Sequence, residues 1–235
     1  MTGGTMHIRR MGESALLAEV PDARAAVELY GRLRVDTPEW VVELVPAACT
    51  VLLVFDCERI GASQAGAWLA ATAAWARGAR STSRHESEPP APASVAADPR
   101  TRSGAVSPSE PVEILARYDG PDLGEVAALL GIGVDEVVHR HTGQLWTSAF
   151  IGFAPGFAYL MGEHEPLTVP RRETPRTAVP AGSIALAAGF CGIYPRASPG
   201  GWHLIGTTEA RLWDVGRAQP ALLAPGTRVR FVRER

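Results

Sequence analysis

Apolar positions fall into two groups along this chain, separated by a stretch that has almost none. In the first group, Ala15–Val20, Trp40–Val45 and Cys49–Phe55 are short runs of apolar and β-branched residues, and each predicts a strand. Asp22, after Pro21, is placed to cap a helix running to about Arg34, on which Ala26, Leu29, Tyr30 and Leu33 share one face. A second helix is predicted over Ser63–Arg77, with Ser63 as its cap and Trp68 and Trp75 on one side. The order β-α-β-β-α suggests a small α+β sandwich over residues 1–78.

From Gly78 to Pro111 the chain turns to Ser, Pro, Ala and Arg. Such a composition cannot bury enough surface to order itself, so 79–111 is expected to be a flexible linker. The second group of apolar positions follows, over 112–235. Val112–Tyr118 reads as a strand and Asp119-Gly120-Pro121 as a turn. Asp122 and Glu125 have capping-box spacing for a helix ending at Gly131. A further short helix, Val134–His141, puts Val134, Val137, Val138 and His141 on one face. Strands are predicted at 147–152, 183–188, 202–206 and Arg228–Val232; in the last, Val229 and Phe231 alternate with Arg228 and Arg230. Many short strands with two small helices suggest a closed barrel or a sandwich.

One region departs from simple alternation. Sixteen of the 56 residues from 151 to 206 are Gly or Pro, yet large apolar side chains are threaded among them. Disorder would lack those side chains, and a helix would not tolerate the breakers. Ordered tight loops remain, and such loops commonly carry function.

Bulk properties narrow the classes. The net charge of −2 over 235 residues argues against non-specific attraction to nucleic acid or to an anionic membrane. The longest apolar run, Ala65–Ala76, is too short to span a bilayer, and the N-terminal residues show no apolar signal core, so a cytoplasmic protein is expected. Cys49, Cys57 and Cys191 form no C-x-x-C pair, which speaks against a zinc site or a disulfide framework. All 23 basic residues are Arg. A Schiff-base, biotinyl or P-loop lysine is therefore excluded in this chain, and an acidic ligand must be held by Arg or by backbone N–H groups.

The candidate chemistry lies in the loops. His141, on the apolar face of its helix, is either a satisfied core residue or a base aimed at the barrel. Arg171, Arg172 and Arg176 surround Glu173 in a Pro-bounded loop: a solvated loop with local ion pairs, or a fork for a carboxylate or phosphate. Tyr194-Pro195 and Ser198-Pro199-Gly200-Gly201-Trp202 either close the barrel or wall a pocket. In the pocket reading Tyr194 and Ser198 donate hydrogen bonds, Gly200 lets backbone approach, and Trp202 is the floor. Pro155-Gly156-Phe157 reads as a bend, with Phe157 and Tyr159 as possible pocket lining. Ser183 lacks the strand-Ser-helix context of a nucleophile elbow.

These motifs carry a resemblance. His-Thr (141–142), Gly-Phe-Ala-Pro-Gly-Phe-Ala-Tyr-Leu (152–160), Val-Pro-Arg (169–171), Pro-Arg (175–176), Val-Pro-Ala-Gly-Ser (179–183) and Gly-Ile-Tyr-Pro…Ser-Pro-Gly-Gly-Trp (192–202) resemble the Kip inhibitor family. That family includes the B component of 5-oxoprolinase and proteins labelled allophanate hydrolase subunit 1, and it is similar to the carboxyltransferase subdomain C and D of urea carboxylase. Cys191 stands where the family pattern has Thr, and Thr207 where it has Arg. The resemblance implies an α+β N-terminal domain followed by a mainly-β cyclophilin-like barrel. It implies a hydrolase subunit acting on a small cyclic amide or ureido acid, with ATP as co-substrate of the complex. The implied partners are a subunit-2 homologue (the C component of 5-oxoprolinase, or allophanate hydrolase subunit 2) and a third lactam-hydrolase subunit. On this reading His141, Tyr194 and Ser198 are catalytic. Arg171, Arg176, Phe157, Tyr159, Pro195, Gly200 and Trp202 bind substrate, and there is no metal. The alternative is a regulatory protein that binds and inhibits a sensor histidine kinase.

Overall fold

The computed structural model describes residues 6–78, 110–164 and 167–234. The chain separates into two compact units, one built from the N-terminal part and one from about Ser109 onward. The expected linker, 79–111, lies outside the described residues except for Glu110 and Pro111, which lead into the first strand of the second unit.

The first unit begins with β1 (His7–Arg10) and β2 (Ala15–Glu19), followed by α1 (Ala23–Leu33), β3 (Val41–Pro46), β4 (Thr50–Phe55) and α2 (Ala62–Gly78). Its sheet order is β1-β2-β4-β3. Strict alternation in β4 sends Val51, Leu53 and Phe55 into the core, where Ala26, Leu29 and Leu33 of α1 meet Ala65 and Leu69 of α2. Asp22 caps α1 through a 2.8 Å bond from the Ala25 N–H. α2 starts one residue before Ser63, so Ser63 is not its cap but an exposed first-turn residue. Trp68 packs edge-on against Trp40 at 5.3 Å; the side chain of Trp75 lies outside the described residues. β1 has no apolar alternation of its own and forms because β2 offers its free edge, in register from His7–Glu19 to Arg10–Leu16.

The second unit runs β5 (Val112–Ala116), α3 (Leu123–Leu130), α4 (Val134–Thr142), β6 (Trp146–Ile151), β7 (Ala158–Gly162), β8 (Arg176–Val179), β9 (Ser183–Ala187), β10 (Phe190–Ile193), β11 (Ser198–Gly200), β12 (His203–Thr207) and β13 (Arg228–Arg233). Seven strands form a mixed sheet in the order β12-β9-β10-β7-β6-β13-β5, with β13 and β5 parallel. Its two ends meet: the Arg117 N–H donates to the Thr207 carbonyl at 2.9 Å, and the Thr207 N–H donates back at 2.8 Å. The sheet is thus a nearly closed barrel.

Its interior holds Ile114, Trp146, Leu160, Ile184, Leu186, Ile193 and Phe231, with Leu123 and Val126 of α3 and Val137 and Val138 of α4 packed against them. Val134 does not join them; it sits in the exposed first turn of α4. A separate ribbon, β8 paired with β11, accompanies a second core on the other face of the sheet. That core explains why Ser-Ile-Ala-Leu-Ala of β9 is buried on both faces: Ile184 and Leu186 point inward, and Ala185 and Ala187 point the other way.

Candidate functional site

The expected site residues separate into three places. His141 is inside the barrel. Its Nδ1 is 2.7 Å from the Tyr118 hydroxyl and its Nε2 is 3.3 Å from Cys191 Sγ, while Trp146 donates to its carbonyl. Its ring packs against Trp146 and Phe231 at 4.9 and 4.3 Å. Burial drives its pKa down to about 3. Burial also pushes the Tyr118 hydroxyl and the Cys191 thiol up, so both keep their protons. With all three groups neutral, one ring nitrogen of His141 donates and the other accepts, so Tyr118 and Cys191 take opposite roles across the ring. His141 is thus a neutral, fully buried residue, and among the described residues no carboxylate is bonded to its ring.

The aromatic residues make the second place. Phe157, Tyr194 and Trp202 are buried together, and Tyr159 joins them while stacking on Phe150 at 4.2 Å. Phe157 sits edge-on to both Tyr194 and Trp202, at 5.3 and 5.5 Å. Burial raises the Tyr194 pKa, opposed by Arg171, by a hydrogen bond from the Trp202 backbone and by Arg176. A Cβ on Gly200 would collide with the Tyr194 hydroxyl. The close backbone approach at Gly200 is therefore to this buried tyrosine, and Trp202 is filled in by its neighbours. Pro195 is half-buried at the start of the connecting turn, and Ser198 makes only a long 3.4 Å bond to the Arg196 carbonyl.

The third place is polar. Asp122 begins α3, but its carboxylate makes no cap hydrogen bond there. Instead Oδ1 accepts from Arg176 Nη2 at 2.7 Å and Arg172 Nη1 at 2.9 Å, and Oδ2 accepts the Leu204 N–H at 2.7 Å. Burial by itself would raise the Asp122 pKa. The bonds from Arg176 and Leu204 and the charges of Arg176 and Arg172 outweigh it and hold the carboxyl below its ordinary range. Arg172 also reaches Glu125 at 2.9 Å, and Glu125 Oε2 lies 3.7 Å from Nδ1 of the buried His203. Two arginines, two carboxylates and an imidazole thus tie the start of α3 to the 170s loop and to β12. Within this network Arg172 Nε, Arg176 Nη1 and both ring nitrogens of His203 have no hydrogen-bond partner.

Arg176 also borders a groove of about 260 Å³, with Gly120, Ser183, Leu204, Gly206 and Thr207 among its walls. Arg176 acts electrostatically on Tyr194, so the network adjoins the aromatic core. Two larger depressions, about 310 and 340 Å³, share Gly143, Gln144 and His164 near the end of α4 and include none of the expected site residues. Sequence reasoning missed His203 altogether and took Asp122 and Glu125 only as a capping box. No spacing marks these residues, because strands and loops far apart in the chain assemble them.

This arrangement can bind an anion better than it can break a bond. The guanidinium N–H groups of Arg172 and Arg176 suit a carboxylate. Among the described residues no serine or cysteine stands beside an accessible histidine, and no group of three or more His, Cys, Asp and Glu could hold a metal. Nor is any helix of the described residues long and apolar enough to cross a membrane.

Comparison with known proteins supplies the lineage. The chain is 49% identical over 113 residues to the B component of 5-oxoprolinase from Escherichia coli O157:H7, covering 48% of this chain and 52% of that protein. It is 42% identical over 125 residues to the same component from Bacillus subtilis, covering 52% of each. The chain thus spans about half the length of the curated relatives it matches. Among solved structures it is similar to TTHA0988, with a TM-score of 0.66 at 30% identity over 97% of this chain and 41% of that one. PH0987 from Pyrococcus horikoshii matches with a TM-score of 0.51 at 31% identity over 97% of both chains. The fold is shared with the urea amidolyase of K. lactis, at a TM-score of 0.61 and 15% identity over 99% of this chain and 15% of that one. The model of the carboxyltransferase domain, subdomain C and D, matches residues 6–223, and by that match the chain belongs to the family of proteins built on this domain.

Proposed function

We propose that this chain is one subunit of an ATP-dependent 5-oxoprolinase-type assembly, in which it holds a small cyclic amide or ureido acid by its carboxylate. The relatives named as the B component of 5-oxoprolinase support the class. The observation that carries the site is Arg176: it borders the groove, is braced by Asp122, and keeps Nη1 without an acceptor. A guanidinium fixed by one carboxylate is preorganised to receive a second. The chain supplies binding and orientation; the groups that cut the C–N bond belong to the partners, a subunit-2 homologue and a lactam-hydrolase subunit. His141 is neutral and sealed, which suits this division of labour.

Among the described residues no loop has the form of a P-loop for ATP. There is no lysine, and the glycine-bearing 152–156 turn leads into strand β7 rather than the N-terminus of a helix. No step of this chain's chemistry runs through the nucleotide.

Titration calorimetry of 5-oxoproline into the assembled complex tests the site. Arg176→Ala should weaken binding about ten- to a hundredfold, the loss of a contact worth roughly 1.5–3 kcal/mol. Arg176→Lys should be nearly as poor, because an ammonium cannot reproduce the fork. Arg172 still pairs with Asp122 in either variant, so the fold is retained. Unchanged affinity would remove the arginine loop from the site. The second reading, a regulator of a sensor histidine kinase, has one observation in its favour: an exposed apolar surface around Phe153 and Trp213. Inhibition of kinase autophosphorylation by this chain alone, with no lactam binding, would select it.

A further inference from the structure

The groove beside Arg176 has a second charged wall that carboxylate binding leaves unused. Asp119 lines the same space, and among the described residues these two are its only charged walls. Thr207 pins Asp119: the Thr207 hydroxyl lies 2.9 Å from Oδ1 and 3.2 Å from Oδ2. Thr207 is itself fixed, because its backbone N–H and carbonyl make the two bonds to Arg117 that close the barrel. Asp119 is exposed, and one hydroxyl proton occupies only part of what a carboxylate can accept, so most of its lone pairs stay open.

The neighbouring cations do not neutralise it. Arg117 pairs with Glu209 at 3.0 Å and with Glu234 at 3.2 Å. Arg176 turns to Asp122 at 2.7 Å rather than to Asp119, although both border one groove. Two opposite charges, each braced by its own partner, thus face one space without quenching each other. The remaining walls include Ala178, Pro180 and Leu204, which offer a ligand little polar competition. At about 260 Å³ the groove falls below the roughly 300–1,000 Å³ of drug-sized pockets, so its ligand is small.

We propose that Asp119 accepts the N–H of the ligand whose carboxylate Arg176 holds, so that the groove selects acids carrying an N–H donor beside the carboxylate. The proposal rests on the carboxylate-binding reading above. Amido, ureido and amino acids all carry that pair of groups, and a lactam acid presents it on one rigid ring. An acid of the same shape without the N–H would leave the Asp119 carboxylate facing ligand carbon, partly desolvated and without a donor. A site built to bond an N–H discriminates strongly against the analogue that lacks it. Asp119 is on this account a specificity-determining residue, held in position by Thr207 and the seam.

The test is titration calorimetry on the assembled complex with two ligands: 5-oxoproline and 3-oxocyclopentane-1-carboxylate, in which a methylene replaces the ring N–H. The wild type should bind 5-oxoproline at least about tenfold more tightly than the carbocycle. In Asp119→Ala that preference should vanish, while the carbocycle binds no more weakly than before. Arg176→Ala should instead weaken both ligands alike, since both carry the carboxylate. Asp119 is exposed, so the Asp119→Ala complex should melt within a few degrees of the wild type. Equal wild-type affinity for the two ligands would overturn the role of Asp119, and this comparison needs no variant to fold. A preference that survives in Asp119→Ala would overturn it too. In either case a loss of both ligands in Arg176→Ala leaves the carboxylate reading standing. A wild-type complex that binds neither ligand, or an Arg176→Ala complex that binds both undiminished, would overturn the two together.

Discussion

His141 is enclosed in the barrel, its ring held between Tyr118 and Cys191. Its position on the apolar face of α4 was legible, and so was its inward direction; that its neighbours would be Tyr118 and Cys191 was not, since they lie on other elements. The consequence is testable by pH. An unfolded histidine takes up a proton near pH 6.5, whereas the folded one refuses it until about pH 3. The contribution to stability is therefore whole above pH 6.5 and falls progressively as the pH drops toward 3. His141→Gln should lower the melting temperature at pH 7, because the ring contacts are lost, yet flatten its decline between pH 6.5 and 4.5. Melts across that range decide it: an unchanged slope would show that another group titrates. The depressed carboxyl of Asp122 acts in a separate window, below the ordinary carboxylate range, where protonation would loosen Arg172 and Arg176. Asp122→Asn leaves those arginines and the Leu204 N–H without their anion, and unfolding should become easier by about 3–5 kcal/mol, as when a buried pair loses one partner.

At the scale of elements, legibility followed burial on one face. β6, β9, β12 and β13 carry runs or alternations of their own, and α1, α3 and α4 carry helical periodicity. β1, β8, β10 and β11 carry neither. Arg-Thr-Ala-Val and Ser-Pro-Gly become strands only because each supplies the other's partner, in a register that shifts between Ser198 and Gly200. Phe-Cys-Gly-Ile is a strand because β7 and β9 flank it, and its glycine is required by Phe157, whose ring would lie 2.7 Å from an added Cβ. Tyr194 and Trp202, at the two ends of their loop, are both packed into a buried aromatic core. Gly200→Ala should accordingly cost about 1–3 kcal/mol through overpacking against Tyr194. Ser198→Ala, at a half-buried strand position with one long hydrogen bond, should stay within about 0.5 kcal/mol in chemical denaturation. A large loss at Ser198 with no change at Gly200 would reverse the assignment and return the loop to a binding role.

For the molecule as a whole, the decisive feature is the seam that closes the barrel. A seven-stranded sheet leaves two edges, and here one pair of backbone hydrogen bonds between Arg117 and Thr207 joins them. The same seam forms the groove wall: Gly206 lies under the Arg117 carbonyl, and Gly120 lies against Leu204 and Ile205. Closure of the fold and shape of the candidate site are thus set by the same few residues, which explains why a glycine-rich stretch is needed where a strand would otherwise prefer β-branched side chains. Gly206→Ala puts a methyl group into the Arg117 carbonyl and must push the edges apart. Hydrogen exchange should then quicken at the amides of Arg117, Thr207 and β5, while β2 and β4, whose core is made within the first unit, keep their protection. Affinity for 5-oxoproline in the assembled complex should fall in the same variant, because the groove opens with the seam. Faster exchange at the seam with unaltered affinity would separate barrel closure from binding and move the ligand away from Arg176.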